Sequence, residues 1–174
     1  TLGSELIYRY NKETQFWGGN ESYTIDNKII RTTNNTVAKV TSGDNIYNTY
    51  LYVNTPRKNQ PYTYFPDING NFYITNANVQ NSGIEADYSW VYFSLESEKT
   101  DKDIYVVGGF NNFTATKENQ MQYDENSKRY IAKIYLKQGF YNYILATKNA
   151  DGSLNYGEIN GNFWQTENLY QAFL

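Results

Sequence analysis

Nowhere in this sequence does a helical period persist for three turns, while turn chemistry recurs throughout. Short apolar–polar alternations punctuated by Gly, Asn, Asp and Pro predict strands rather than a helical bundle. Residues 6–10, 36–41, 47–53, 72–75, 86–95, 104–107, 130–136 and 140–147 read as strands, and 23–31 as a strand interrupted at Asp26-Asn27. A single helical turn near 117–121 is the one departure expected. The predicted fold class is all-β.

Alternation also assigns faces. Tyr130, Ala132, Ile134 and Leu136 share one side of their strand, with Ile131, Lys133 and Tyr135 on the other. Tyr141, Tyr143 and Leu145 share a side of the next. Lys137-Gln138-Gly139 between them predicts a hairpin connection, and Asn149-Ala150-Asp151-Gly152 the following turn. In 86–95, Tyr88, Trp90, Tyr92 and Ser94 oppose Ser89, Val91, Phe93 and Leu95. Apolar residues on both sides predict a central strand buried on both faces, with Trp90 in the core. The charged stretch 96–103 carries no large apolar residue and predicts a solvated junction. The expected organisation is two consecutive β-sandwich domains, 1–99 and 100–174.

The chain has no cysteine, hence no disulfide framework or thiolate metal site. It has no histidine, which removes the commonest general base and metal ligand. The net charge is −3 and the basic residues are scattered, so nucleic acid is not an expected partner. No apolar run approaches bilayer length, so no membrane span is expected. Aromatics are 18% of the residues, with 19 tyrosines; tyrosine suits half-buried pleated surfaces and is also enriched at interfaces.

Chemistry-bearing patterns are few. Asp101 with Asp103 and Glu96 with Glu98 fall in the charged stretch and read as solvated, as do Glu118 and Asp124-Glu125. Asp67-x-Asn69-Gly70-Asn71 begins like a calcium loop, but its glycine arrives too early and the twelfth position is Asn78, so it reads as a turn. No catalytic residue, cofactor or metal is assigned. Trp17, Phe113 and Trp164 are the aromatics placed to stack on a sugar ring. Asn111-Asn112-Phe113 and the loop at Trp17 are the candidate docking contacts; the plainer reading makes all of them turn and core residues.

Two resemblances rest on particular motifs. Gly-Gly-Phe-Asn-Asn-Phe at 108–113, the Tyr-Asn-Tyr strand at 141–143 and the Asp151-Gly152 turn are similar to early-set, immunoglobulin-like modules related to glycogen-binding domains. Gly18-Gly19-Asn20-Glu21, Asp67-Ile68-Asn69-Gly70, residues 86–93, the Phe-Asn-Asn corner, residues 137–143, and Gly161-Asn162 with Thr166-Glu167-Asn168 together resemble the plug protein family of the Bacteroidetes type IX secretion system. The first resemblance implies that the second domain is immunoglobulin-like. The second implies a non-enzymatic periplasmic component, associated with the outer membrane, that plugs the periplasmic side of a large translocon barrel protein. It also implies that the chain is a fragment of a longer exported protein. The alternative is a carbohydrate-binding module of an exported Bacteroidetes protein.

Overall fold

A computed structural model describes residues 16–43 and 45–170; the expected strand at 6–10 lies outside them. The described chain is all-β: β1 (Tyr23–Asp26), β2 (Val37–Ser42), β3 (Tyr47–Leu51), β4 (Phe72–Ile74), β5 (Tyr88–Glu96), β6 (Ile104–Val107), β7 (Gln120–Asp124), β8 (Arg129–Lys137), β9 (Gly139–Lys148) and β10 (Leu154–Asn155). Single helical turns occur at Ser82–Glu85 and Gly157–Asn160, and a 3-10 turn at Lys117–Asn119, where a helical turn was expected.

The hydrogen-bonded order is β1-β9-β6-β7-β8-β5-β3-β2, a sheet rolled into a nearly closed barrel. β7 turns the sheet over. Its first residues, Gln120 and Met121, pair with β6, and Gln122 to Asp124 pair with β8. β9 is the spine of the other layer. Phe140 and Tyr141 each pair with both β1 and β4, so those strands flank it on opposite edges. Its far half pairs with β6 and β10. Across the gap between the outermost strands, Asp26 N donates to Thr36 Oγ1 at 3.0 Å and Asn34 Nδ2 to Asp26 O at 2.7 Å.

Three sequence expectations change in physical detail. The junction near residue 100 interrupts neither sheet nor core. β5 pairs with β8 along nine residues, from Tyr88↔Lys137 to Glu96↔Arg129, and Ile25, Val37, Phe93, Leu145 and Ile159 share one apolar cluster. Secondly, β8 and β9 are not a hairpin. β8 pairs with β5 and β7, whereas β9 pairs with β1, β4, β6 and β10, so Gln138 is a corner between layers. Its buried side chain secures the corner: Oε1 accepts from Asn76 Nδ2 at 2.8 Å and Asp87 N at 2.9 Å, and Nε2 donates to Lys28 O at 3.0 Å. Gly139 follows because a Cβ there would stand 2.5 Å from Tyr73 O.

The third difference is β5. Ser89, Val91, Phe93 and Leu95 are fully buried, but Tyr88 is exposed and Trp90 and Tyr92 are half-buried. Trp90 therefore faces outward, not into the core. β8 behaves as its alternation predicts, with Tyr130, Ala132, Ile134 and Leu136 inside. Burying Ile134 or Leu136 contributes about 1.5–3 kcal/mol each, which sets the register against a one-residue slip.

Candidate functional site

The outward face of β3, β5 and β8 carries an aromatic ladder. Register places Trp90 opposite Tyr135, Tyr92 opposite Lys133 and Tyr50 opposite Tyr92. Tyr88 stacks on Tyr135 at 4.8 Å between ring centroids, Trp90 tilts against Tyr135 at 5.0 Å, and Tyr50 stacks on Tyr92 at 4.5 Å. Lysines lie across these rings. Lys133 Nζ is 4.4 Å from the Trp90 centroid, and Lys137 Nζ is 5.5 Å from Tyr88. The strand register sets these rings side by side, so the face is amphipathic.

A second site lies at one end of the molecule, where two glycine–asparagine motifs far apart in sequence meet. Phe163 N donates to Gly19 O at 2.7 Å, and Gly19 N to Asn162 Oδ1 at 2.7 Å. Asn20 Nδ2 donates to Asn160 O at 2.6 Å, and Asn168 Nδ2 to Gly18 O at 2.8 Å. Gly18 must be glycine, since a Cβ would come within 2.1 Å of Phe163 O. The junction borders a groove of about 780 Å³, whose lining includes Trp17, Lys102, Tyr156, Glu158, Asn160 and Asn168. Trp164 lines the adjoining hollow with Phe16 and Tyr170. Trp17 and Trp164 are 85% and 88% exposed, so neither closes the core.

The remaining sequence candidates lie elsewhere. Asn111 is turn chemistry: its Oδ1 accepts from Gly108 N at 3.0 Å and its Nδ2 donates to Val106 O at 2.9 Å. Asn112 holds the left-handed conformation at φ 52°. Phe113 packs over Gly70 and against the Tyr105–Val107–Ala146 cluster. The corner is thus joined to the turn at 67–70, with Gly109 N donating to Gly70 O at 2.7 Å. Phe113 is not among the residues lining the groove at Trp17 or the hollow at Trp164.

Electrostatically the groove is quiet. Lys102 pairs with Glu158 at 2.8 Å, and hydrogen bonds from Lys102 and Thr147 hold the Glu158 carboxyl below the usual range. Burial raises the Tyr156 hydroxyl. Elsewhere a hydrogen bond to the buried Glu21 pushes Tyr62 up to about 12. Among the described residues no three acidic side chains converge to hold a metal ion, and no helix is long and apolar enough to cross a membrane. Sequence reasoning missed the sheet-face ladder and the groove floor at Asn155 and Asn160. Lys133 alternating with Tyr135 was the available signal for the first; nothing local marked the second.

No protein-family model matches the chain, and no curated protein does. The chain is similar to a crystal structure of a hypothetical protein from Parabacteroides merdae, with TM-score 0.83 and 28% sequence identity. The likeness covers 87% of this chain and 38% of that one, so the chain spans well under half the length of that protein.

Proposed function

We propose that this chain is a non-enzymatic docking module of the type IX protein secretion machinery, placed in the periplasm to plug the inner side of a large outer-membrane translocon barrel. The observation that carries the reading is the outward face of β3, β5 and β8, where Tyr50, Tyr88, Trp90, Tyr92 and Tyr135 alternate with Lys133 and Lys137. Tyrosine and tryptophan on a rigid sheet supply contact area at little entropic cost, and such residues dominate protein interfaces. The surrounding polar groups keep the surface soluble when undocked, as a reversible plug requires. The choice of machinery comes from the six-motif resemblance. Likeness to a protein from a Bacteroidetes species supports the same source. Within this reading, residues after 100 supply an immunoglobulin-like, early-set portion, which the tight corner at 108–113 supports.

The test is affinity capture. The tagged chain, incubated with detergent-solubilised outer membranes from a bacterium carrying a type IX system, is expected to retain the giant barrel protein. The doubly substituted Trp90→Ala, Tyr135→Glu chain should lose it. Recovery of the unsubstituted chain without the barrel contradicts the proposal.

A further inference from the structure

We propose that the outward face of β3, β5 and β8 takes an acidic polypeptide segment, whose carboxylates meet Lys39, Lys133 and Lys137. The inference rests on the reading of this face as a docking surface, and not on which machinery supplies the partner.

The charge on this face has no counterpart within the described chain. Lys28, Lys99, Lys102 and Lys128 each have a carboxylate oxygen within 3.2 Å. Lys39, Lys133 and Lys137 form no ion pair among the described residues. They lie against rings instead. Lys39 Nζ is 5.7 Å from the Tyr50 centroid, Lys133 Nζ is 4.4 Å from Trp90 and 5.5 Å from Tyr92, and Lys137 Nζ is 5.5 Å from Tyr88. A ring attracts an ammonium through its quadrupole but does not cancel the charge. Carboxylates flanking the face are engaged elsewhere: Glu96 pairs with Arg129 at 3.0 Å, and Glu85 Oε2 accepts from Asn81 N at 3.0 Å. A chain of net charge −3 thus gathers three uncompensated cations on one aromatic surface.

Hydrogen-bonding capacity points to the same partner. Lysine and the indole N–H only donate, and a tyrosine hydroxyl can donate. Lys137 Nζ gives to Gly83 O at 2.7 Å and the Tyr92 hydroxyl to Asn48 Oδ1 at 3.4 Å. The remaining donors are left to whatever docks. An ionised carboxylate, which only accepts, is their complement in a polypeptide.

The apolar part of the face narrows the class. The bond from Lys137 to Gly83 O brings Ile84, 79% exposed, beside the ladder. An acidic polypeptide carries apolar side chains between its carboxylates and so meets both halves of the surface. A single nucleic-acid strand would need open ring faces for its bases. Here Tyr50 stacks on Tyr92 and Tyr88 on Tyr135, with lysines over the rings. A second copy of the chain would set like charges against each other.

The experiment is a two-dimensional proton–nitrogen NMR titration of the chain with a capped dodecapeptide of Glu-Glu-Ser repeats. A Gln-Gln-Ser peptide, oligothymidylate and phosphatidylglycerol vesicles are the comparison probes. The acidic peptide is expected to shift the Trp90 indole N–H saturably and to leave the Trp17 and Trp164 indoles in place. Raising salt from about 50 to about 300 mM should weaken binding by roughly fivefold or more, because the pairs are solvent-exposed. The triple variant Lys39→Gln, Lys133→Gln, Lys137→Gln should weaken it by roughly tenfold or more, on the scale of a few exposed pairs. Arginine at the same three positions should restore it, and Lys148→Gln at the end of β9 should leave it unchanged. The proposal is overturned by no saturable shift with the acidic peptide, by equal shifts with the glutamine peptide, by undiminished binding in the triple glutamine variant, or by tighter binding of oligothymidylate or vesicles. Barrel capture without peptide binding removes this inference and leaves the docking reading; peptide binding without barrel capture does the reverse.

Discussion

Both faces of the β5–β8 pair carry large apolar or aromatic side chains, the inner mainly aliphatic and the outer mainly aromatic, and they do different work. Inside, Val91, Phe93 and Leu95 meet Ala132 and Ile134 in a dry cluster. Outside, Tyr88, Trp90 and Tyr92 meet Lys133, Tyr135 and Lys137, with ammonium groups laid over the rings. The inner face is held by burial, the outer by ring stacking and cation–π contacts that leave Tyr88 and Tyr135 about half exposed and Trp90 and Tyr92 less so. Hydrophobicity alone does not separate the buried face from the outward one in this sheet; the residue opposite does.

The sharpest way to break this comparison is to truncate one ring on each side. Phe93→Ala is expected to cost about 3–5 kcal/mol in urea unfolding, since it leaves a cavity in the shared core. Trp90→Ala should stay within about 1.5 kcal/mol, the scale of an aromatic pair. Next comes Gly139→Ala, at about 1–3 kcal/mol. The added methyl collides with Tyr73 O at the corner that separates the two layers. A hairpin at Lys137-Gln138-Gly139 would have tolerated it.

Titration offers a third contrast. Burial raises the Tyr143 hydroxyl above its ordinary value of 10.0, and Tyr141 likewise. A raised folded pKa means that the native state holds its proton where the unfolded chain has lost it. Stability from these groups is therefore complete below about pH 10 and falls as pH rises above it. The urea midpoint is expected to hold up to about pH 10, where free tyrosine begins to lose its proton, and to fall progressively above it. Tyr143→Phe should flatten that slope. The smallest effect is Lys133→Ala, about 0.5–1 kcal/mol by thermal or urea unfolding, because only cation–π contact is lost.

Much of the inner architecture was legible from alternation. The buried face of β8 follows it residue by residue, because one wet and one dry side leave a period of two. β9 is buried on both faces, with Asn142 and Ala146 enclosed as well as Tyr141, Tyr143 and Leu145. β5 was half legible. Both its faces are apolar, and only the pairing of Tyr92 with Lys133 decides which one is outside. The layer-changing corner was hidden, because Gln138 looks like a turn residue until Asn76, Asp87 and Lys28 are brought to it. The charged stretch near residue 100 was legible as a linker but not in what it connects, since a solvated linker joins strands of one sheet as readily as two domains. At the groove, the glycine–asparagine motifs at 18–20 and 161–162 were visible separately. Their meeting was not, since it spans most of the chain.

On the function proposed, the outer face of β3, β5 and β8 is a recognition surface. Hydroxyl-radical footprinting of the chain, free and in outer-membrane extract containing the translocon barrel, tests it side chain by side chain. Tyr88, Trp90 and Tyr135 should be oxidised in the free chain and protected in the extract, while Tyr64 and Phe65, exposed on a separate loop, react equally in both. Equal oxidation of Tyr88, Trp90 and Tyr135 in the two samples would contradict the account.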